Sequence, residues 1–319
     1  VEAGFGPILG LSADGKQLFV VSPNTDELFT IDTGSGGVTR SATLDGPTAL
    51  ATWRSPEKEE WLVIAHRYTP SLLLVNLKEP SKRLTLPAVS NAEGLVVDGD
   101  RAFVAEHVRD TVVAYALPGG RELWRANVSL NPRALVLAGK ELVVGSLETG
   151  AIDVLNADTG ALRVSLEPGP GTPIIGGSTE KYAAQIMNGK APRALAWSPK
   201  ARALFVSSIG PNIGPNADRM EVSMNGGVGA VSLDKGWLRH RGFGAGITEG
   251  LVIDDARGLL YAADIGLGLV RVIDVKKLAS GDATKAELQA LPLVPPSNFP
   301  LARPREDLEI GRAACRERV

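Results

Sequence analysis

A chain of 319 residues that is 44% hydrophobic and 22% charged can bury a large core, which excludes a disordered or coiled-coil protein. Its 34 Lys and Arg against 36 Asp and Glu leave a net charge of -2, without the one-signed surplus that holds a phosphate backbone, so nucleic acid is not an expected partner. Every long apolar run is cut by Gly, Pro or a charge before the ~20 residues that cross a bilayer, so no membrane span is expected.

Val1 to Pro7 carry neither the basic start nor the apolar block of a signal peptide. From there a short β-rich segment recurs: Leu18-Phe19-Val20-Val21, Leu62-Val63-Ile64-Ala65, Ala102-Phe103-Val104-Ala105, Leu142-Val143-Val144-Gly145, Leu204-Phe205-Val206-Ser207 and Leu260-Tyr261-Ala262-Ala263. The first four lie about 40 residues apart, the period of one propeller blade. A strand of the same type follows each, then a more polar one, and a small-residue strand such as Ala49-Leu50-Ala51 or Gly94-Leu95-Val96 opens the next unit. Crowding near a central axis explains the small residues, and water on one side explains the polar ones. Asp14-Gly15, Asp98-Gly99, Thr159-Gly160 and Arg257-Gly258 mark the hairpin reversals. Helical spacing is confined to Thr284–Leu291.

The expected fold is therefore all-β, a β-propeller of four-stranded blades over residues 1–293. Blades fall at about 7–45, 46–87, 92–129, 132–167, 192–244 and 247–293. The Pro-rich run 294–308 reads as an extended connector. The last residues, 309–319, resemble a translated sequencing adaptor and are set aside as a non-native tail; Cys315, the only cysteine, lies there, so disulfide and thiolate chemistry are not expected.

Alternating strand direction places the loop entering each inner strand and the loop between strands two and three on one face. Two long loops break the period on that face, Pro168–Ala191 and Ile209–Val228, the second carrying Asn212, Asp218, Arg219 and Glu221. Long loops commonly carry function, and a protein or small-molecule ligand is expected there. At the first inner-strand position the repeats place Pro7, Thr48, Glu93, Arg133, Arg193 and Glu249. At the end of the second strand they place Ser22, His66, Glu106, Ser146, Ser208 and Asp264, a set expected to point toward the channel mouth as well. Charges near an axis must be matched or hydrated, so this ring is read either as a structural ion network or as a site. The site would be an anion pocket at Arg133 and Arg193, or a cation site at Glu93, Glu106, Glu249, Asp264 and His66 that the two arginines oppose; no metal is expected.

Leu11-Ser12-Ala13-Asp14-Gly15-Lys16-Gln17-Leu18-Phe19-Val20 and Asn131-Pro132-Arg133-Ala134-Leu135 resemble the YVTN family of seven-bladed propellers, a likeness that runs through nearly the whole chain. It implies seven blades, of which six are visible, and an edge that a further blade would cover. Ser207–Asn216, Glu221–Gly227 and Gly266–Val272 resemble YVTN-type propellers fused ahead of a c-type cytochrome domain of the di-haem peroxidase kind. That resemblance implies a non-catalytic docking module of a periplasmic or extracellular redox protein. No cofactor is expected in these residues, haem c belonging to a region beyond them. The alternative is a lactonase-type propeller hydrolase working at the channel mouth.

Overall fold

The computed structural model describes residues 8–166, 192–212, 223–245 and 247–293, and they form six four-stranded antiparallel sheets. The first holds β1 (Leu9–Leu11), β2 (Gln17–Ser22), β3 (Glu27–Asp32) and β4 (Val38–Thr43). The second holds β5 (Pro47–Arg54), β6 (Glu60–His66), β7 (Ser71–Asn76) and β8 (Arg83–Pro87). In the third are β9 (Ala92–Asp98), β10 (Arg101–Glu106), β11 (Thr111–Ala116) and β12 (Arg121–Asn127). The fourth comprises β13 (Pro132–Ala138), β14 (Glu141–Ser146), β15 (Ile152–Asn156) and β16 (Leu162–Leu166). The fifth comprises β17 (Pro192–Ser198), β18 (Ala203–Asn212), β19 (Ser223–Ser232) and β20 (Gly236–Ala245). The sixth is β21 (Thr248–Asp254), β22 (Leu259–Asp264), β23 (Leu269–Asp274) and β24 (Glu287–Pro292).

Every sheet is a meander, each strand pairing with the next in sequence, and the first strands pack side by side in the order β1, β5, β9, β13, β17, β21. This is the propeller that the repeat implies. Why the sheets stack is visible in the burial of their central strands. From Leu142 to Ser146 every residue of β14 is buried, although successive side chains of a strand point to opposite faces. Such a strand needs a neighbouring sheet on both sides. Five apolar clusters supply that cover, each joining one pair of successive blades: Phe19 and Val21 with Leu62 and Ile64, Val63 and Leu74 with Val104 and Tyr115, Phe103 and Val112 with Leu142 and Leu155, Val143 and Val154 with Leu204 and Val206, and Phe205 and Ala230 with Leu260 and Ile273.

Among the described residues no comparable cluster joins the sixth blade to the first. Leu9 and Leu11, on the face of β1 turned away from the second blade, are 54% and 51% exposed, and Val252, turned away from the fifth, is 68% exposed. β2 and β22 accordingly alternate buried with partly exposed residues where β14 does not.

Thr284–Leu291, the stretch with helical spacing, holds the end of a single 3-10 turn, Ala283–Lys285, and then Glu287–Pro292 forms β24, the outer strand of the sixth blade, whose backbone completes the ladder along β23. The helix lies earlier, α1 (Val275–Ser280), started by Asp274, whose carboxylate accepts from Lys277 N at 2.9 Å. It buries Val275 and Leu278 in the cluster between the fifth and sixth blades. The loop expected over Ile209–Val228 is also partly strand, since β18 and β19 stay paired out to Asn212 and Ser223.

Inner-strand crowding is most severe at Gly94, where a Cβ would lie 2.2 Å from the backbone oxygen of Arg133 on the next blade. At Gly250, the equivalent position of the sixth blade, the nearest atom would be 3.6 Å away. Gly94→Ala is expected to lower stability by about 2 kcal/mol or more through overpacking, and Gly250→Ala to change it little; urea unfolding midpoints of the two variants measure the difference.

Candidate functional site

Hydrogen bonds within each blade place the two kinds of loop together. The N–H groups of Arg67, His107, Leu147 and Ile265, just after the second strands, donate to the carbonyls of Gly46, Asn91, Asn131 and Ile247, just before the first strands, at 2.8, 3.3, 2.8 and 2.9 Å. Neighbouring blades are laced on the same face. Asp26 Oδ1 accepts from Gly46 N at 2.9 Å, and Asp110 Oδ1 from Asn131 N at 2.7 Å.

The inner strands then turn one side chain each out of the ladder. Pro47 pairs with His66 and Ala49 with Ala65, which leaves Thr48 as the extra residue of a β-bulge. Identical shifts skip Glu93, Arg133, Arg193 and Glu249 in the next four blades. A bulge re-aims the residue it contains, and five in succession bring one aligned position from each of five blades to the mouth of the channel.

Around that mouth the charges meet in sequence. Glu93 Oε1 receives Arg67 Nε and Nη2 at 3.0 and 2.9 Å, and His107 Nδ1 stands 3.7 Å from the same oxygen. Arg133 lies 3.9 Å from Glu93 Oε2 through Nη1 and donates from Nε to Asn131 Oδ1 at 2.9 Å. Arg193 Nη1 is 3.7 Å from Glu249 Oε1. Burial holds the Glu249 carboxyl above its ordinary range, against the pull of Arg193 and Arg133, and holds the Arg193 guanidinium below its own, against Glu249. Thr48 closes the arc by donating to Ala92 O at 2.6 Å.

The second set of positions is engaged inside the blades. Glu106, fully buried, accepts from Thr111 Oγ1 at 3.1 Å and from Arg125 Nη1 of the outer strand at 3.3 Å. Asp264 is held by Arg271 Nε and Nη2 at 3.2 and 2.9 Å, and by the N–H groups of Ile247 and Leu267. His66 Nδ1 lies 3.4 Å from Ser71 O. Ser146 Oγ donates to Ser129 O at 3.0 Å. Glu106 and Asp264 are thus held by arginines from the fourth and third strands of their own blades, Arg125 and Arg271, and not by the charges that meet at Glu93 and Glu249. Among the described residues no group of three or more His, Cys, Asp and Glu side chains converges. Asn212 ends β18, while Asp218, Arg219, Glu221 and the whole of Pro168–Ala191 lie outside the described residues.

Arg67, His107 and Asn131 belong to the ring and escaped the sequence reading. Their signal was positional, since Arg67 and His107 each follow the last residue of a second strand in successive repeats. Outward of the mouth, a cleft of about 520 Å³ separates the second and third blades, lined by Pro70, Pro87, Val89, Arg109, Tyr115 and Arg125. The Tyr115 phenol beneath it is pushed up to about 12 by burial.

No family model and no curated protein matches this chain. Solved structures do. A chain of Kuenenia stuttgartiensis hydrazine synthase superposes with a TM-score of 0.69 at 16% identity, over 92% of this chain and 88% of that one. The Myceliophteria thermophila Cps50 (Swd1) β-propeller domain superposes with a TM-score of 0.59 at 13% identity, over 83% of this chain and 81% of that one. At such identities the likeness shows the fold.

Burial pushes the His66 imidazole below its ordinary 6.5. A base depressed in the folded state contributes stability that is complete above the unfolded value and is lost as pH falls through and below it. Urea unfolding above and below pH 6.5 is expected to show a loss of stability on acidification that is smaller in His66→Gln; an equal loss in both proteins would contradict this placement.

Proposed function

We propose that this chain is the greater part of a seven-bladed propeller of the YVTN type that acts as a non-catalytic docking module, seating a protein partner on its loop-bearing face. The observation that carries the reading is a set of exposed apolar side chains on the loops of that face: Tyr68, Val108, Leu130 and Ile265. They come from the second, third, fourth and sixth blades and surround the ionic mouth. Apolar groups dispersed around a charged centre suit a protein surface with its own polar centre. A lactonase-type hydrolase would need free carboxylates at the mouth, whereas Glu93 is gripped by Arg67 and Glu249 faces Arg193. The uncovered apolar faces of the first and sixth blades support a seventh blade between them.

The partner expected from the resemblance is a redox protein, the module being exported and continuous with a haem c-bearing region. The likeness to a chain of a hydrazine synthase supports a place for this fold in an enzyme assembly. Among the described residues no helix is long and apolar enough to cross a membrane.

A pull-down of c-type cytochromes from a bacterial periplasmic extract, read by haem staining, tests the reading. Retention by the wild type that falls at least about tenfold in Tyr68→Asp/Val108→Asp, with an unchanged melting temperature, is expected where two central apolar contacts are replaced by charges. Equal retention by both proteins, or lactone hydrolysis that Glu93→Gln abolishes, would overturn it.

A further inference from the structure

The cleft between the second and third blades lies where the repeat has a smaller side chain than elsewhere. One residue follows the outer strand at a fixed place: Leu44 in the first blade, Ala88 in the second and Val128 in the third. Their N–H groups donate to the carbonyls of Asp26, Pro70 and Asp110 at 2.6, 3.0 and 2.9 Å. In the fifth blade the register Ser208–Gly227–Gly242 makes Phe243 the counterpart, since it follows Gly242 as Ala88 follows Pro87. Leu44, Val128 and Phe243 each pack into the apolar cluster that joins their own blade to the next. Ala88 is the smallest of the four, and it lines the cleft of about 520 Å³.

The third and sixth blades each clasp a guanidinium between two carboxylates. Arg271 meets Asp264 at 2.9 Å and Glu287 at 2.6 Å, and Arg125 meets Glu106 at 3.3 Å and Glu122 at 2.9 Å. Asp264 and Glu106 end the second strands, while Glu287 and Glu122 pair with Ile273 and Tyr115, which are counterparts on the third strands. Over Arg271 the preceding blade lays the ring of Phe243, its centroid 4.4 Å from the guanidinium, a cation–π contact across the blade junction. Ala88 offers Arg125 no ring, and Arg125 lines the cleft with Pro87, Val89 and Tyr115. We infer that this cleft receives an aromatic side chain of the docking partner, seated over Arg125 as Phe243 is over Arg271. The volume suits such a group, binding pockets commonly measuring about 300–1,000 Å³. Charge suits it too: Arg125 is matched by Glu106 and Glu122, and Arg109 stands 3.6 Å from Glu106, so the cleft favours a neutral ring over an ion. The cleft is continuous with the proposed interface, because Pro70 and Arg109, which line it, belong to the loops that carry Tyr68 and Val108. The inference rests on the docking reading and names its anchor, aromatic groups held in pockets being frequent energetic centres of protein interfaces.

Titration of the full chain with N-acetyl-phenylalanine amide, followed by ligand-observed NMR, tests the cleft without the partner. Saturable binding is expected, about threefold weaker for the cyclohexylalanine analogue, which keeps the shape and lacks the π face. Ala88→Phe, which supplies the ring from the chain itself, is expected to raise the melting temperature and to weaken probe binding at least about tenfold by occupying the same space. Ala88→Leu, which copies the first blade, carries the same expectation should Ala88→Phe fail to melt cooperatively. In the haem-stained pull-down, Ala88→Phe is expected to lose cytochrome as Tyr68→Asp/Val108→Asp does. Absence of probe binding, equal binding of the two probes, or undiminished binding in the filled variant would each overturn the inference. Cytochrome retained by Ala88→Phe but lost by Tyr68→Asp/Val108→Asp would also overturn it and leave the docking reading standing. Probe binding by a protein that retains no cytochrome would overturn the docking reading, and the partner assigned to the cleft with it.

Discussion

The fully buried Val143 and Val144 are neighbours in β14 and therefore face opposite sides of one sheet, one toward the fifth blade and the other toward the third. Sheets that are apolar on both faces cannot be exposed on either, and this requirement sets the radial array. Full burial of one such side chain is worth about 1.5–3 kcal/mol, and each inter-blade cluster contains six or more larger than alanine, so the blades gain more from stacking than a single sheet could from any face of its own. Among the described residues the same requirement is unmet at Leu9, Leu11 and Val252, which are exposed.

Stacking brings the inner strands close enough that Gly94 must lack a side chain, and it leaves the second residue of five inner strands with no place in the ladder. The bulge follows from that crowding and has a chemical consequence. Thr48, Glu93, Arg133, Arg193 and Glu249 are delivered to one small region, where low water access raises the cost of every unmatched charge. Arg67 resolves part of that cost at Glu93, while the opposed shifts of Glu249 and Arg193 show that their mutual attraction does not fully offset burial.

Much of this architecture was legible because a propeller writes its fold as a repeat. The Phe103, Val143 and Phe205 segments announced themselves by period and apolar content, and aligned repeats singled out the same positions that the bulges take out of the ladder. What the alignment lacked was pairing. Glu106 and Asp264 sit beside the ring in sequence register, yet Arg125 and Arg271, from other strands of their own blades, hold their carboxylates. Those pairings are long-range and no local pattern encodes them. Thr284–Leu291 has helical spacing, but over Glu287–Pro292 the edge of β23 offers a ladder of hydrogen bonds that outweighs a weak local preference. Asp274, a helix-starting residue at the end of a strand, was the overlooked signal.

The blades are arrayed around an axis, and among the described residues no apolar cluster joins the sixth to the first. Spin labels at Leu11→Cys and Val252→Cys, in a chain carrying Cys315→Ser, report that boundary directly. Stacked sheets lie about 10 Å apart, so a gap the width of one blade predicts a label separation centred near ~20 Å. A narrow distribution near ~10 Å would mean that the sixth blade packs on the first, and would contradict the open array from which the seventh blade is argued.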